Sequence, residues 1–173
     1  MAAVKGAEKL MRQLNNLGDI NPIVKKTVKK ETLRVQRNAV LLCPVNNGEL
    51  RQSIKTKVKA TEDMVTGTVY TNNKRAAYVE FGTGPVGEEN HEGISPEVTP
   101  AYSQNGWWFP GNNVTPQDAA KYHWPSMETE DGKTLYFTKG QPAQPFMYQA
   151  LKGIEDIVCM NLKVSLAAEI EKV

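Results

Sequence analysis

The chain has 173 residues, 40% of them hydrophobic and 23% charged, the size and balance of one ordinary folded domain, 1–173, that can bury its own core. Thirteen glycines and ten prolines are too few for a fibrous or low-complexity class, and no stretch approaches the roughly 18 uninterrupted apolar residues that a membrane span needs. The net charge of +2 hides an asymmetry: residues 1–60 hold 13 Lys or Arg against 4 Asp or Glu, a balance of +9, and residues 61–173 hold 8 against 15, a balance of −7. A basic face on one part of the molecule would meet either a solvated surface, a nucleic acid, or the acidic face of a neighbouring copy. The opening MAAVKGAEKLMRQL carries no apolar run closed by a small-residue cleavage site, so synthesis and folding in a cytoplasm, with no membrane partner, are expected.

In residues 3–17, Val4, Ala7, Leu10, Met11, Leu14 and Leu17 recur at three- and four-residue steps, which predicts a first helix ended near Gly18. Asn21 and Pro22 then supply an N-cap and a first-turn proline for a second helix over 22–42. Its apolar positions Val24, Val28, Val35, Ala39 and Leu42 stay in helical phase as far as Cys43. Lys25, Lys26, Lys29, Lys30, Arg34 and Arg37 fall largely on the other faces, and the helix should run roughly 30 Å. Pro44 and the turn Asn46-Asn47-Gly48 end it.

From Leu50 the period changes to two: Leu50, Gln52, Ile54, Thr56 and Val58 make one row and Arg51, Ser53, Lys55, Lys57 and Lys59 the other. That predicts a half-exposed strand, with Met64–Thr71 as its antiparallel partner across the turn at Thr61-Glu62-Asp63. Residues 84–139 differ in kind, with 6 of the 10 prolines, all 3 tryptophans and 8 of the 13 aromatics. So many aromatics argue against disorder, and the segment reads as a long irregular excursion or insertion with short strands, one at Thr134–Thr138 after the Asp131-Gly132 turn. Pro145 should begin a C-terminal helix whose stripe is Met147, Leu151, Ile154, Val158, Leu162, Leu166 and Ile170, covering the sheet. Cys43 and Cys159 have no paired spacing and read as buried free thiols.

Three segments, in this order, resemble the tail-component proteins of tailed bacteriophages, also described as head-tail joining or tail-completion proteins. Pro44, Gly48, Leu50, Arg51, Ser53 and Ile54 look like that family's proline, glycine turn and Leu-Arg-x-Ser-Ile run. Tyr78, Val79, Glu80, Phe81, Gly82 and Thr83 are similar to its Val-Glu-Phe-Gly-Thr signature, and Pro142, Pro145 and Phe146 to its Pro-x-x-Pro-Phe approach to the last helix. The 84–139 excursion is longer than the minimal family pattern. The resemblance implies a virion protein of the neck or tail, from a phage or prophage, that works without turnover. Its partners would be further copies of itself in a ring, of six copies, together with connector, tail-terminator or tail-tube proteins and non-specific contact with passing DNA.

The competing chemistries have less behind them. His91 and His123 lack a Cys or second His at ligand spacing, so no metal is expected. No Gly-x-Ser-x-Gly elbow or phosphate-cradling glycine loop occurs, and no cofactor is expected. A glycan-acting, lysin-like enzyme would pair Glu80 with Glu88 or Glu89 beside Trp107 and Trp108. The plainer reading makes Glu80 a hydrogen-bonding or interface carboxylate at the Gly82-Thr83 turn. A DNA-binding protein would use the basic helix 22–42, although no reader motif accompanies it. Trp107, Trp108, Phe109 and Trp124 form either a satellite core or an interface patch. The expected fold is therefore α+β: two N-terminal helices, a small antiparallel sheet, a C-terminal helix packed on the sheet and the aromatic-rich insertion, with no catalytic residue.

Overall fold

A computed structural model describes residues 21–46, 48–61 and 64–170. The helix expected over 3–17, the middle of the 61–63 turn and the middle of the 46–48 turn lie outside the described residues. The architecture is α+β, with small antiparallel sheets and helices arranged in two compact units. One unit comprises the described residues up to Asn72 together with those from Gln149 onward, and the other is Asn73–Tyr148.

The first unit is built on α1 (Asn21–Leu42). Val35, Ala39 and, just past the helix, Cys43 are buried on one side, and Thr27, Glu31 and Thr32 are buried with them. All six cations of the helix are exposed. A buried carboxylate needs partners, and Glu31 has two: Arg34 Nε donates to its Oε2 at 2.9 Å and Asn161 Nδ2 at 3.1 Å. After Pro44 the chain turns at Gly48 (φ 83°) into a single helical turn, α2 (Glu49–Gln52). The strand expected from Leu50 thus begins only at β1 (Lys55–Ala60), because Leu50 and Ile54 satisfy a helical turn as well as they satisfy a strand.

β1 pairs with β2 (Val65–Tyr70) from Lys55 opposite Tyr70 to Ala60 opposite Val65. Thr56, Val58 and Val69 are half-buried while Lys55, Lys57 and Lys59 are exposed, the alternation that the period-two pattern predicts. The buried side lies under α1. A Cβ on Gly67 would run into Thr32 Oγ1 and sit 3.1 Å from Val28 Cγ1, so glycine is what lets this helix come so close to the strand.

The C-terminal helix is in two pieces, α6 (Met147–Lys152) and α7 (Glu155–Ile170); the intervening α3–α5 belong to the second unit. It starts two residues after Pro145 and breaks at Gly153-Ile154, where Gly153 N–H bonds Gln149 O at 2.9 Å and Ile154 N–H bonds Leu151 O at 3.0 Å. Glycine holds a helix weakly, and the break shifts the stripe: Ala150 is fully buried and Leu151 exposed, while Ile154, Val158, Leu162 and Leu166 are half-buried. α7 packs along α1, which is itself the layer over the hairpin, and Asn38 Nδ2 donates to Ala150 O at 2.8 Å. Cys43 is buried as expected, but Cys159 is exposed on α7.

The second unit holds α3 (Arg75–Phe81), α4 (Gly84–Glu89), β3 (Trp107–Pro110), α5 (Pro116–Lys121), β4 (Ser126–Glu128) and β5 (Thr134–Thr138). The strands form one antiparallel sheet in the order β3-β5-β4, with the strand expected at Thr134–Thr138 in its centre. α5 starts at Thr115, whose Oγ1 accepts from Asp118 N–H at 3.1 Å and donates to Asp118 Oδ2 at 2.7 Å, a local cap.

Candidate functional site

The first motif is a joint within the first unit. Arg51 Nη2 donates to Cys43 O at 2.8 Å, closing the carbonyl end of α1. Ser53 Oγ donates to Leu50 O at 2.7 Å and lies 2.6 Å from Thr71 Oγ1, which ties α2 to the residue after β2. Ile54 is buried and its carbonyl accepts from Gln36 Nε2 at 2.7 Å. Pro44 and Leu50 are half-buried.

The second and third motifs meet in the second unit, and Glu80 is the centre of the meeting. It is 6% exposed. Its Oε2 accepts from the backbone N–H groups of Phe146 (2.9 Å) and Met147 (2.8 Å), and its Oε1 from that of Tyr148 (2.9 Å). The first N–H groups of a helix have no partner within it, and here one carboxylate serves the start of α6. The exchange is reciprocal, because carbonyls at the end of α3 are served by the third motif. Gln141 Nε2 donates to Tyr78 O at 2.9 Å and Gln144 N–H to Val79 O at 2.8 Å. Thr83 and Gln141 exchange backbone bonds at 2.9 and 3.1 Å. Gly82, at φ 75°, lets the two segments approach, since a Cβ there would lie 2.8 Å from Ala143 N.

Glu80 therefore does hydrogen-bond, though to the start of α6 and not at the Gly82-Thr83 turn. Both of its oxygens are engaged, and the depression beside it, about 300 Å³ and lined by Ala76, Ala77, Phe81 and Met147, brings no second carboxylate to it. Phe146 is fully buried, Pro145 half-buried and Pro142 exposed, whereas Tyr78 keeps 58% of its surface in solvent. Tyr102, which sequence patterns did not single out, donates its hydroxyl to Phe81 O at 2.7 Å. Burial pushes its phenol above the ordinary tyrosine range, and the Glu88 charge adds to the effect. No local signal marks Tyr102, because its partner lies 21 residues away. His91 stacks on its ring with centroids 5.7 Å apart.

The aromatic residues divide between the two faces of the sheet. Phe109, opposite Tyr136, meets Trp124 edge-on at 5.0 Å, and Tyr122 stacks on Trp124 at 4.9 Å. Trp108, opposite Phe137 at 5.2 Å, shares the other face with Leu135 and Met127. Trp107 and Trp108 stay 38% and 45% exposed, while Phe109 and Trp124 are half-buried. The foursome is thus a small cluster on one side and open apolar surface on the other. Among the described residues no three His, Cys, Asp or Glu side chains converge as a metal site, and no helix is long and apolar enough to cross a membrane.

Among the described residues the site thus consists of interlocked helix ends, a small hairpin under a cationic helix and exposed apolar side chains. Residues 8–82 match the family described as "Bacteriophage HK97-gp10, putative tail-component". That stretch, under half of the chain, is thus similar to a phage tail-component segment, consistent with a tailed-phage tail or neck family. The match includes α1, the first motif, the hairpin and the second motif through Gly82. No curated protein and no solved structure matches the chain.

Proposed function

We propose that this protein is a ring-forming subunit of the head-tail interface, which completes the tail or joins it to the connector around the DNA channel. The match of residues 8–82 to the tail-component family carries the reading. The surface supports it. Among the described residues seven apolar side chains are buried, while Ile157, Met160 and Val164 lie exposed along one side of α7, and Trp108 and Met127 on one face of the sheet. Apolar stripes on solvent-facing elements are surfaces for neighbours. The ring, of six copies, closes by head-to-tail contacts, docks a connector, tail-terminator or tail-tube protein on one side, and passes DNA through its opening. The exposed cations of α1 suit either a subunit contact or non-specific contact with that DNA. Shape and charge complementarity perform the work, with no turnover.

The test is quantitative mass spectrometry of gradient-purified virions with the tagged protein located by electron microscopy. The reading expects about six copies per particle at the junction of head and tail. Absence from purified particles, or a position on the capsid shell or tail fibres, would refute it.

A further inference from the structure

Two surfaces of opposite charge remain once the fold is accounted for. Lys25, Lys26, Lys29 and Lys30 project from the first half of α1, all exposed. Among the described residues none of them has a carboxylate at ion-pair distance; on α1 only Arg34 does, with Glu31. In the second unit, residues 76–120 contain no Lys or Arg at all. Glu88, Glu89, Glu92 and Glu97 lie there within ten positions, at the end of α4 and in the loop beyond, and all four are exposed. Glu88 accepts a hydrogen bond from Gln104 Nε2 at 2.8 Å, and none of the four has an ion-pair partner among the described residues.

We infer that the lysine face of α1 on one copy docks the glutamate face at the end of α4 on the next copy, so that this pair of faces is the polar contact between successive subunits. The inference rests on the ring reading and gives it an address. Because the two faces differ, the contact is head-to-tail and propagates from copy to copy. A polyanion such as DNA would account for the lysines alone and leave the glutamates without a counterpart. A second copy accounts for both surfaces with one contact, and complementary charge suppresses other registers and partners.

The test uses two full-length variants. One carries Lys25→Glu, Lys26→Glu, Lys29→Glu and Lys30→Glu; the other carries Glu88→Lys, Glu89→Lys, Glu92→Lys and Glu97→Lys. Sedimentation velocity and negative-stain microscopy follow assembly at matched concentration. Each variant alone should self-associate about a hundredfold more weakly than the unaltered protein. An equimolar mixture of the two should recover assembly with the variants alternating, which also demonstrates that both are folded. Assembly of the unaltered protein should weaken as salt rises from 0.1 to 1 M, since the screening length falls from about 10 to about 3 Å. If the unaltered protein forms rings and both variants form them equally well, this contact is wrong while the ring reading stands. If the lysine variant assembles normally but loses duplex DNA, the face belongs to DNA and the inference fails. If the unaltered protein never associates, both fall together.

Discussion

Glu80 offers the sharpest test of how this fold is held. Replacing it with Ala removes the acceptor for three N–H groups at the start of α6 while leaving those donors in a site where the carboxylate is 6% exposed. A hydrogen bond to a charged group contributes about 1.5–3 kcal/mol. The three share one carboxylate and do not add fully, so Glu80→Ala should cost about 3–5 kcal/mol. Glu80→Gln keeps the shape, yet only its carbonyl oxygen accepts and its amide nitrogen faces a donor, so about 1.5–3 kcal/mol should go. All three tryptophans lie in the second unit, within Asn73–Tyr148, so their fluorescence reports its unfolding in urea. The Ala variant should shift the midpoint down by about 1 M or more, with Gln between Ala and the unaltered protein. A Gln variant as stable as the unaltered protein, or an Ala variant within about 0.5 kcal/mol of it, would refute the reasoning.

Three further outcomes follow from the same structure. Gly67→Ala places a methyl against Thr32 Oγ1 and should cost about 1–3 kcal/mol by thermal melting; adding Thr32→Ala should return part of that loss, and strict additivity would speak against the close approach. Phe109→Ala, at the centre of the contacts with Trp124 and Tyr136, should destabilise by about 2–4 kcal/mol in the same urea assay. Trp108→Ala, being half in solvent already, should cost clearly less. The Tyr102 phenol should ionise above the ordinary range in an ultraviolet titration, and Tyr102→Phe should remove that late step. Because its folded pKa is raised, the stability it contributes is complete below about pH 10 and is lost as pH climbs through the folded value.

What the sequence disclosed was whatever depends on near neighbours. Asn21-Pro22 at the start of α1, the exposure of its six cations, the hairpin and the alternation of Lys55, Lys57 and Lys59 all follow from periods of 3.6 and 2. The errors arose where one pattern serves two geometries. Leu50, Gln52 and Ile54 alternate like a strand, but the left-handed Gly48 starts a helical turn there, in which Gln52 N–H bonds Gly48 O at 3.0 Å. The C-terminal stripe ran unbroken on paper through Gly153, where the helix in fact resets and turns Leu151 outward. Glu80 was visible as a motif residue and invisible as a cap, since its partners lie 66 to 68 residues away. Nothing in a local window distinguishes a carboxylate that docks a neighbour from one that holds a distant helix end.

Deleting the gene and examining lysates by electron microscopy tests the central claim most directly. A subunit of the head-tail ring predicts filled or emptied heads and separate tails, with joined particles restored when the intact chain is supplied in trans. Infectious particles of normal shape and yield from the deletion would contradict it.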